Sequence, residues 1–177
     1  PDGVWEAVAM IGSNTRNYRR DSGESLYRRS MYTFWKRSAP PASMDIFNAP
    51  SREFCTVRRE RTNTPLQALV TLNDPQFVEA ARVLAQRTLK EGGKTNGDKA
   101  NFIALRLLAR PFRENEWPIV ESSLADLLTY YTAHPEDAAK LLAVGESKRD
   151  ELLDPATHAA WTMLTNQLMN LDEVLNK

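Results

Sequence analysis

The sequence is short of the residues that most often announce chemistry. Among 177 residues there is one cysteine, Cys55, and there are two histidines, His134 and His158. One cysteine excludes an intrachain disulfide and any cysteine cluster for zinc or iron–sulfur. No CxxCH pair occurs, which excludes covalent haem of the c type in this chain. A single cysteine does not fix the redox compartment. No apolar run approaches the roughly 18 to 20 residues of a membrane span. Pro1-Asp2-Gly3-Val4-Trp5 has neither the basic start nor the apolar core of a signal peptide, and no initiator methionine. The chain is therefore expected to be a fragment or processed piece of a longer protein. No P-loop, GxGxxG, HExxH, GxSxG or EF-hand pattern is present. Net charge is missing too, since 23 Lys plus Arg balance 23 Asp plus Glu. That argues against a wholly basic nucleic-acid binder and leaves room for a local patch.

What is present suits one compact domain, or one domain with an ordered arm: 42% of residues are apolar and 26% charged. The even balance hides an asymmetry. Residues 1–61 hold 11 basic and 7 acidic side chains, and residues 62–177 hold 12 and 16. The two parts could attract each other within one fold, or the first could face an acidic partner. Internal packing fits the zero sum better.

Residues 1–64 lack sustained helical periodicity and are broken by Gly3, Gly12, Gly23, Pro40, Pro41 and Pro50. Trp5, Val8, Ala9 and Met10 could form a short helix. Tyr27 to Trp35 is aromatic and could be a short strand or helix, stopped by Pro40-Pro41. This predicts an irregular arm whose aromatics anchor it to a helical body over 65–177, the two forming one compact unit. The fold class is mainly α.

Helix starts punctuate the body. Thr64 precedes Pro65 and stands three before Gln67, a cap with a capping-box partner. Asp74 before Pro75 opens a second helix, with a stripe of Phe77, Ala81, Leu84 and Thr88, ended by Gly92-Gly93. Asp98 is read as the cap of a helix from about Lys99 to Ala109, with Phe102, Leu105 and Leu108 inward. Further helices are expected near 117–131 and over 135–144. Asp154-Pro155 starts the last one, whose stripe of Trp161, Leu164, Leu168, Leu171 and Leu175 predicts a single terminal helix of about 20 residues docked on a bundle.

Few residues suggest a site. Arg52, Arg58, Arg59 and Arg61 stand close together and could clamp carboxylate, sulfate or phosphate, because the planar guanidinium suits bidentate contact. Alternatively they are struts, paired with Glu53, Glu60 and Asp74 or capping carbonyls. The second reading weighs more, since charges inside a fold need partners. Arg16, Arg19, Arg20, Arg28, Arg29, Lys36 and Arg37 are interleaved with Tyr18, Tyr27, Tyr32, Phe34 and Trp35. Such a mixture can stack on bases or sugars. Asp21 and Glu24 interrupt it and no nucleic-acid signature accompanies it, so core anchoring is preferred to nucleic-acid binding. Cys55 could be activated by neighbouring arginines, but only His134 or His158 could serve as base. A buried, inert thiol is the expected state. Glu114, Glu116, Glu121 and Asp126 do not have a spacing that selects a reaction.

Several runs are familiar as a set. They are Arg28 to Arg37 (RRSMYTFWKR) with Pro40 to Met44 (PPASM), Asn48 to Glu53 (NAPSRE), Arg61 to Leu69 (RTNTPLQAL) and Leu72 to Ala81 (LNDPQFVEAA). With Ala160-Trp161 and Leu168 to Glu173 near the end, the chain resembles the planctomycete-type PSD1 family of proteins of unknown function, in the C-terminal portion of its module. The resemblance implies a long, exported bacterial parent with an extracytoplasmic location. It implies a cytochrome-c-like, haem-bearing domain elsewhere in that parent, and in some members a carbohydrate-binding domain. It supplies no catalytic residues. The expected function is a noncatalytic structural or interaction module that docks on the upstream part of the same parent, with no cofactor in this chain. The alternative is a domain for acidic or sulfated polysaccharide, with Trp35 as platform and Arg52, Arg58, Arg59 and Arg61 as clamp, contributing to an enzyme site in the parent.

Overall fold

The computed structural model describes residues 9–14, 16–17, 21–36 and 40–176. Trp5 and Val8 of the expected first helix lie outside the described residues, as do Tyr18, Arg19, Arg20 and Arg37. The chain is mainly α, with no strand among the described residues. It divides into two units, Pro1–Arg61 and Thr62–Lys177.

In the first unit, 3-10 turns cover Gly23–Tyr27 and Ser30–Tyr32, followed by a short helix α1, Ala42–Ile46. Pro41 stands at its start, where a missing N–H costs nothing. The Phe47 N–H closes its last turn on Ser43 O, and Asn48 then leaves in the left-handed region at φ 55°. Elements this short bury little, and none of the described residues in 1–61 is buried.

The second unit is a helical bundle. Helix α2, Pro65–Asn73, begins with a reciprocal box: Gln67 N–H donates to Thr64 Oγ1 at 3.3 Å, and Thr64 N–H to Gln67 Oε1 at 2.9 Å. Asp74 ends α2 and starts α3, Pro75–Glu91, by accepting Gln76 N–H at 2.8 Å. Two helices thus meet at one residue. Helix α4, Asn96–Leu107, starts earlier than expected. Its cap is Thr95, and Asp98 is the third helical residue, accepting Thr95 N–H at 3.1 Å. Asp98 therefore completes a capping box instead of being the cap. Helices α5, Trp117–Ala133, and α6, Pro135–Leu142, follow. Helix α7, Pro155–Met169, is capped by Asp154, whose Oδ2 accepts Thr157 N–H at 2.8 Å.

Helix α7 is the axis of the bundle, packed against α3, α5 and α6. It is buried nearly all round, from His158 to Thr162 and again over Leu164, Thr165, Asn166 and Leu168. Its threonines tolerate this because they donate to their own helix: Thr162 to His158 O and Thr165 to Trp161 O, both at 2.7 Å. The expected single helix of about 20 residues is broken. Residue Asn170 closes α7, and α8, Asp172–Leu175, is a separate turn. Leu171 is 39% exposed at the break, so the long apolar stripe ends at Leu168.

Two stripes are also rotated from their expected positions. On α3 the buried line is Val78, Ala81, Ala85 and Thr88, with Phe77 and Leu84 on its flank. On α4 it is Ala100, Ile103 and Ala104, while Leu105 is 54% exposed and Phe102 carries Arg106 on its ring. The cause is alanine. Ala81, Ala85, Ala100, Ala159 and Ala160 are fully buried, and small side chains let helices approach closely around the large Trp161.

Candidate functional site

The arm places two of the five expected ligand residues together. The Arg52 guanidinium lies over the Trp35 ring, 4.9 Å from its centroid, and Nη2 donates to Ser30 O at 3.5 Å. Cation and ring quadrupole attract in this geometry. Arg52 holds the left-handed conformation at φ 64°, unusual for a side chain of this size. Arg59 turns to the backbone, donating from Nη1 to Phe47 O at 3.2 Å. Arg58 and Arg61 are exposed. Among the described residues, no hydrogen bond or ring contact links Arg58, Arg59 or Arg61 to Trp35.

The expected carboxylate struts are not formed. Among the described residues none of these four arginines is ion-paired with Glu53, Glu60 or Asp74, and Asp74 is used as a helix cap. Two of them cap carbonyls. The expected aromatic anchors are also more open than a core requires. Tyr27 is 57% and Tyr32 64% exposed, and Phe34 and Trp35 are half-buried. Cys55 is exposed instead of buried.

The two histidines are engaged within the helical unit. His134 stacks on Tyr130 at 4.4 Å, with Nδ1 2.9 Å from Tyr130 O. His158 is 1% exposed, and its Nε2 lies 3.2 Å from Arg82 O. Among the described residues no group of three or more His, Cys, Asp or Glu side chains is placed to hold a metal ion. Of the flagged carboxylates, Glu116 is fixed by Arg110, which reaches it through Nη1 and Nη2 at 2.8 and 2.9 Å and reaches Glu173 through Nε and Nη2 at 3.0 and 2.7 Å. The Arg110 guanidinium, helped by the Arg113 N–H, holds Glu116 down to about 2. Arg110 thus ties the α4–α5 connection to α8, and a carboxylate so committed to it is poorly suited to proton transfer at neutral pH.

The densest polar constellation is one that the sequence reading missed. Glu79, Arg82, Gln86 and Lys90 follow one another at helical steps on α3 and hold the strap 144–153 that joins α6 to α7. Glu79 Oε1 accepts the backbone N–H of Glu146 at 3.1 Å and of Ser147 at 2.6 Å. Arg82 Nη2 donates to Ser147 O at 2.6 Å and Oγ at 2.7 Å, and lies 3.8 Å from Glu79. Gln86 Oε1 accepts Asp150 N–H at 2.9 Å, and Lys90 pairs with the Asp150 carboxylate. Lys90 is the largest influence keeping Asp150 below the usual carboxylate range. Glu79 and Arg82 are buried, and His158 backs them through the Arg82 carbonyl. Burial pushes the His158 imidazole below its ordinary value, with the Arg82 and Arg149 charges adding to the effect. The available signal was the i, i+3, i+7, i+11 spacing of four polar residues along one line of the helix. Nothing in the sequence marked the strap as their partner.

A family model described as PSD1, protein of unknown function (DUF1553), matches residues 5–124. No curated protein and no solved structure matches the chain.

Proposed function

The chain belongs to the PSD1 family of proteins of unknown function, and from that premise we propose that it is a noncatalytic interaction module of a larger, exported bacterial protein. In this reading it is the C-terminal portion of the family module, acts outside the cytoplasm, and docks on the upstream part of the same parent. One observation carries the reading. The first unit leaves its large apolar side chains open: Met31 is 68%, Phe54 72% and Val57 104% exposed, beside Tyr27 and Tyr32. Such an accumulation in a small unit marks a surface that a partner covers. Titration of the chain with the separately expressed upstream region tests it. Saturable binding that protects the arm from proteolysis is expected. No binding, together with turnover by the isolated chain, would make it an enzyme instead.

A second reading has its own observation. Arg52 sits on Trp35, and Arg58 and Arg61 are exposed with no carboxylate partner among the described residues. This suits an acidic or sulfated polysaccharide, its anions taken by guanidinium groups and a sugar ring by the indole. In the parent, that surface would contribute to an enzyme site. A glycan array at two salt concentrations, repeated for Arg58→Ala and Arg59→Ala, tests it. Binding should weaken with either substitution and with salt. A folded protein including the upstream part that binds no glycan rejects it.

A further inference from the structure

We propose that the strap 144–153 is an acid-released latch, in which protonation of His158 frees the strap from the polar face of α3. The inference concerns the helical unit and does not depend on the reading of the arm. His158 stands in the first turn of α7, directly after the strap, with Asp154 as the cap between them. Its ring is 1% exposed. With Nε2–H donating to the Arg82 carbonyl, Nδ1 is the nitrogen left to take a proton.

A second proton there would add a charge to a site already crowded with cations. From α3 the ring lies against the Arg82 backbone carbonyl, and the Arg82 side chain, itself 1% exposed, already places one cation, 3.8 Å from Glu79, inside this part of the bundle. From the strap the Arg149 charge opposes a second proton and the Asp150 carboxylate favours it, but Asp150 is already paired with Lys90. The other packed helices offer no relief. Asp137 of α6 accepts from both Lys140 Nζ and Tyr130 OH, Glu136 is exposed, and so are Glu121 and Asp126 of α5.

The strap is the part that can yield. Its hold on α3 consists of polar contacts to Glu79, Arg82, Gln86 and Lys90, whereas the rest of α7 is locked by apolar burial around Trp161 and Leu164. Opening the strap gives His158 access to water while the bundle stays closed. Low-stability openings of this kind are drawn from segments with few buried apolar contacts.

Hydrogen exchange on the full chain at pH 7.5 and 5.5, corrected for intrinsic rates, tests this. The reporters are the Glu146, Ser147 and Asp150 amides, with Ala160, Trp161 and Leu164 as core controls. One proton linked to opening gives a loss of up to about tenfold per pH unit below about 6.5. Strap protection should fall by about that factor at pH 5.5 while core protection holds. His158→Gln keeps an N–H donor for Arg82 O without titrating, and its strap protection should be independent of pH. Unchanged strap protection, a parallel fall of strap and core, or the same fall in His158→Gln each overturns the latch. Should the variant not fold, NMR titration of the His158 ring in the unmodified chain decides. A midpoint below about 6.5 that coincides with strap release sustains the proposal. A ring that titrates at or above that value, or without strap release, ends it.

Discussion

Gly145 rests directly on the Glu79 carboxylate: a Cβ at that position would overlap the Glu79 side chain, and the backbone there sits at φ 94°. The carboxylate can accept the Glu146 and Ser147 N–H groups because the chain passes this close. Gly145→Ala should therefore destabilise the chain twice over, by collision and by the left-handed backbone, by about 1 to 3 kcal/mol. Urea unfolding measures the loss. A variant as stable as the parent would show that the strap has room to shift.

Asp74 serves two helices by different atoms, its backbone N–H closing α2 on Val70 O and its carboxylate capping α3, so removing the side chain should be felt at α3. Asp74→Ala is expected to cost about 0.5 to 2 kcal/mol, as for other caps. On α4 the order is set by the observed box. Thr95→Ala should cost more than an alanine at a solvent-exposed helix position, and Asp98→Ala should weaken the same box from the other side. Helicity and unfolding midpoints of the three variants check the assignment.

The Arg110 bridge should make stability fall in acid. Glu116 is held at about 2 against a usual 4.5, chiefly by its hydrogen bonds to Arg110. A carboxylate with a depressed folded-state pKa contributes fully above its unfolded value, and the contribution disappears as pH falls through the folded one. The loss should therefore run from about pH 4.5 downward toward pH 2. Glu173, lowered by the same guanidinium, adds to it in the same direction. Glu116→Gln should flatten that acid limb in a series of denaturant titrations. An unchanged limb would assign the acid sensitivity elsewhere, with Asp150 and Asp154 as the next carboxylates to test.

Helix starts were legible because a capping oxygen, a proline and an apolar run fall within a few residues of each other at Thr64, Asp74 and Asp154. Those signals are local, and local geometry decided them. The inward faces were less legible. Scoring residues by size points to Phe77, Phe102 and Leu105, but close helix approach selects alanines, and the large side chains move to the flank. The break after Met169 was hidden because Leu171 and Leu175 continue the spacing of the helix before it. Thr71 Oγ1 lies 2.8 Å from Asn170 Oδ1, and Asn63 Nδ2 donates to Asp172 Oδ1 at 3.0 Å, so contacts from the last turns of α2 and from the segment before it frame the interruption. The strap network was least legible of all. Each member is an ordinary helix-surface residue until a segment distant in sequence is laid across it.

Arg52 separates backbone strain from recognition. It combines a left-handed backbone at φ 64° with a guanidinium stacked on Trp35. Glycine accepts that backbone freely, whereas alanine retains the steric cost of about 1 to 2 kcal/mol that any Cβ meets there. Both substitutions remove the cation from the ring. If the stack serves only to hold the loop, Arg52→Gly and Arg52→Ala should both loosen it, with exchange across 47–60 rising in each. If the stack is a platform for an anionic sugar, the results should divide. Arg52→Gly is then expected to be more stable than Arg52→Ala by about 1 kcal/mol, with Arg52→Ala close to the parent, while both lose glycan binding to the same extent. Trp35→Ala should abolish the same binding, since the ring is the surface on which both cation and sugar would rest. Retained binding in Arg52→Gly would remove Arg52 from the site and leave Arg58 and Arg61 as the cations to test.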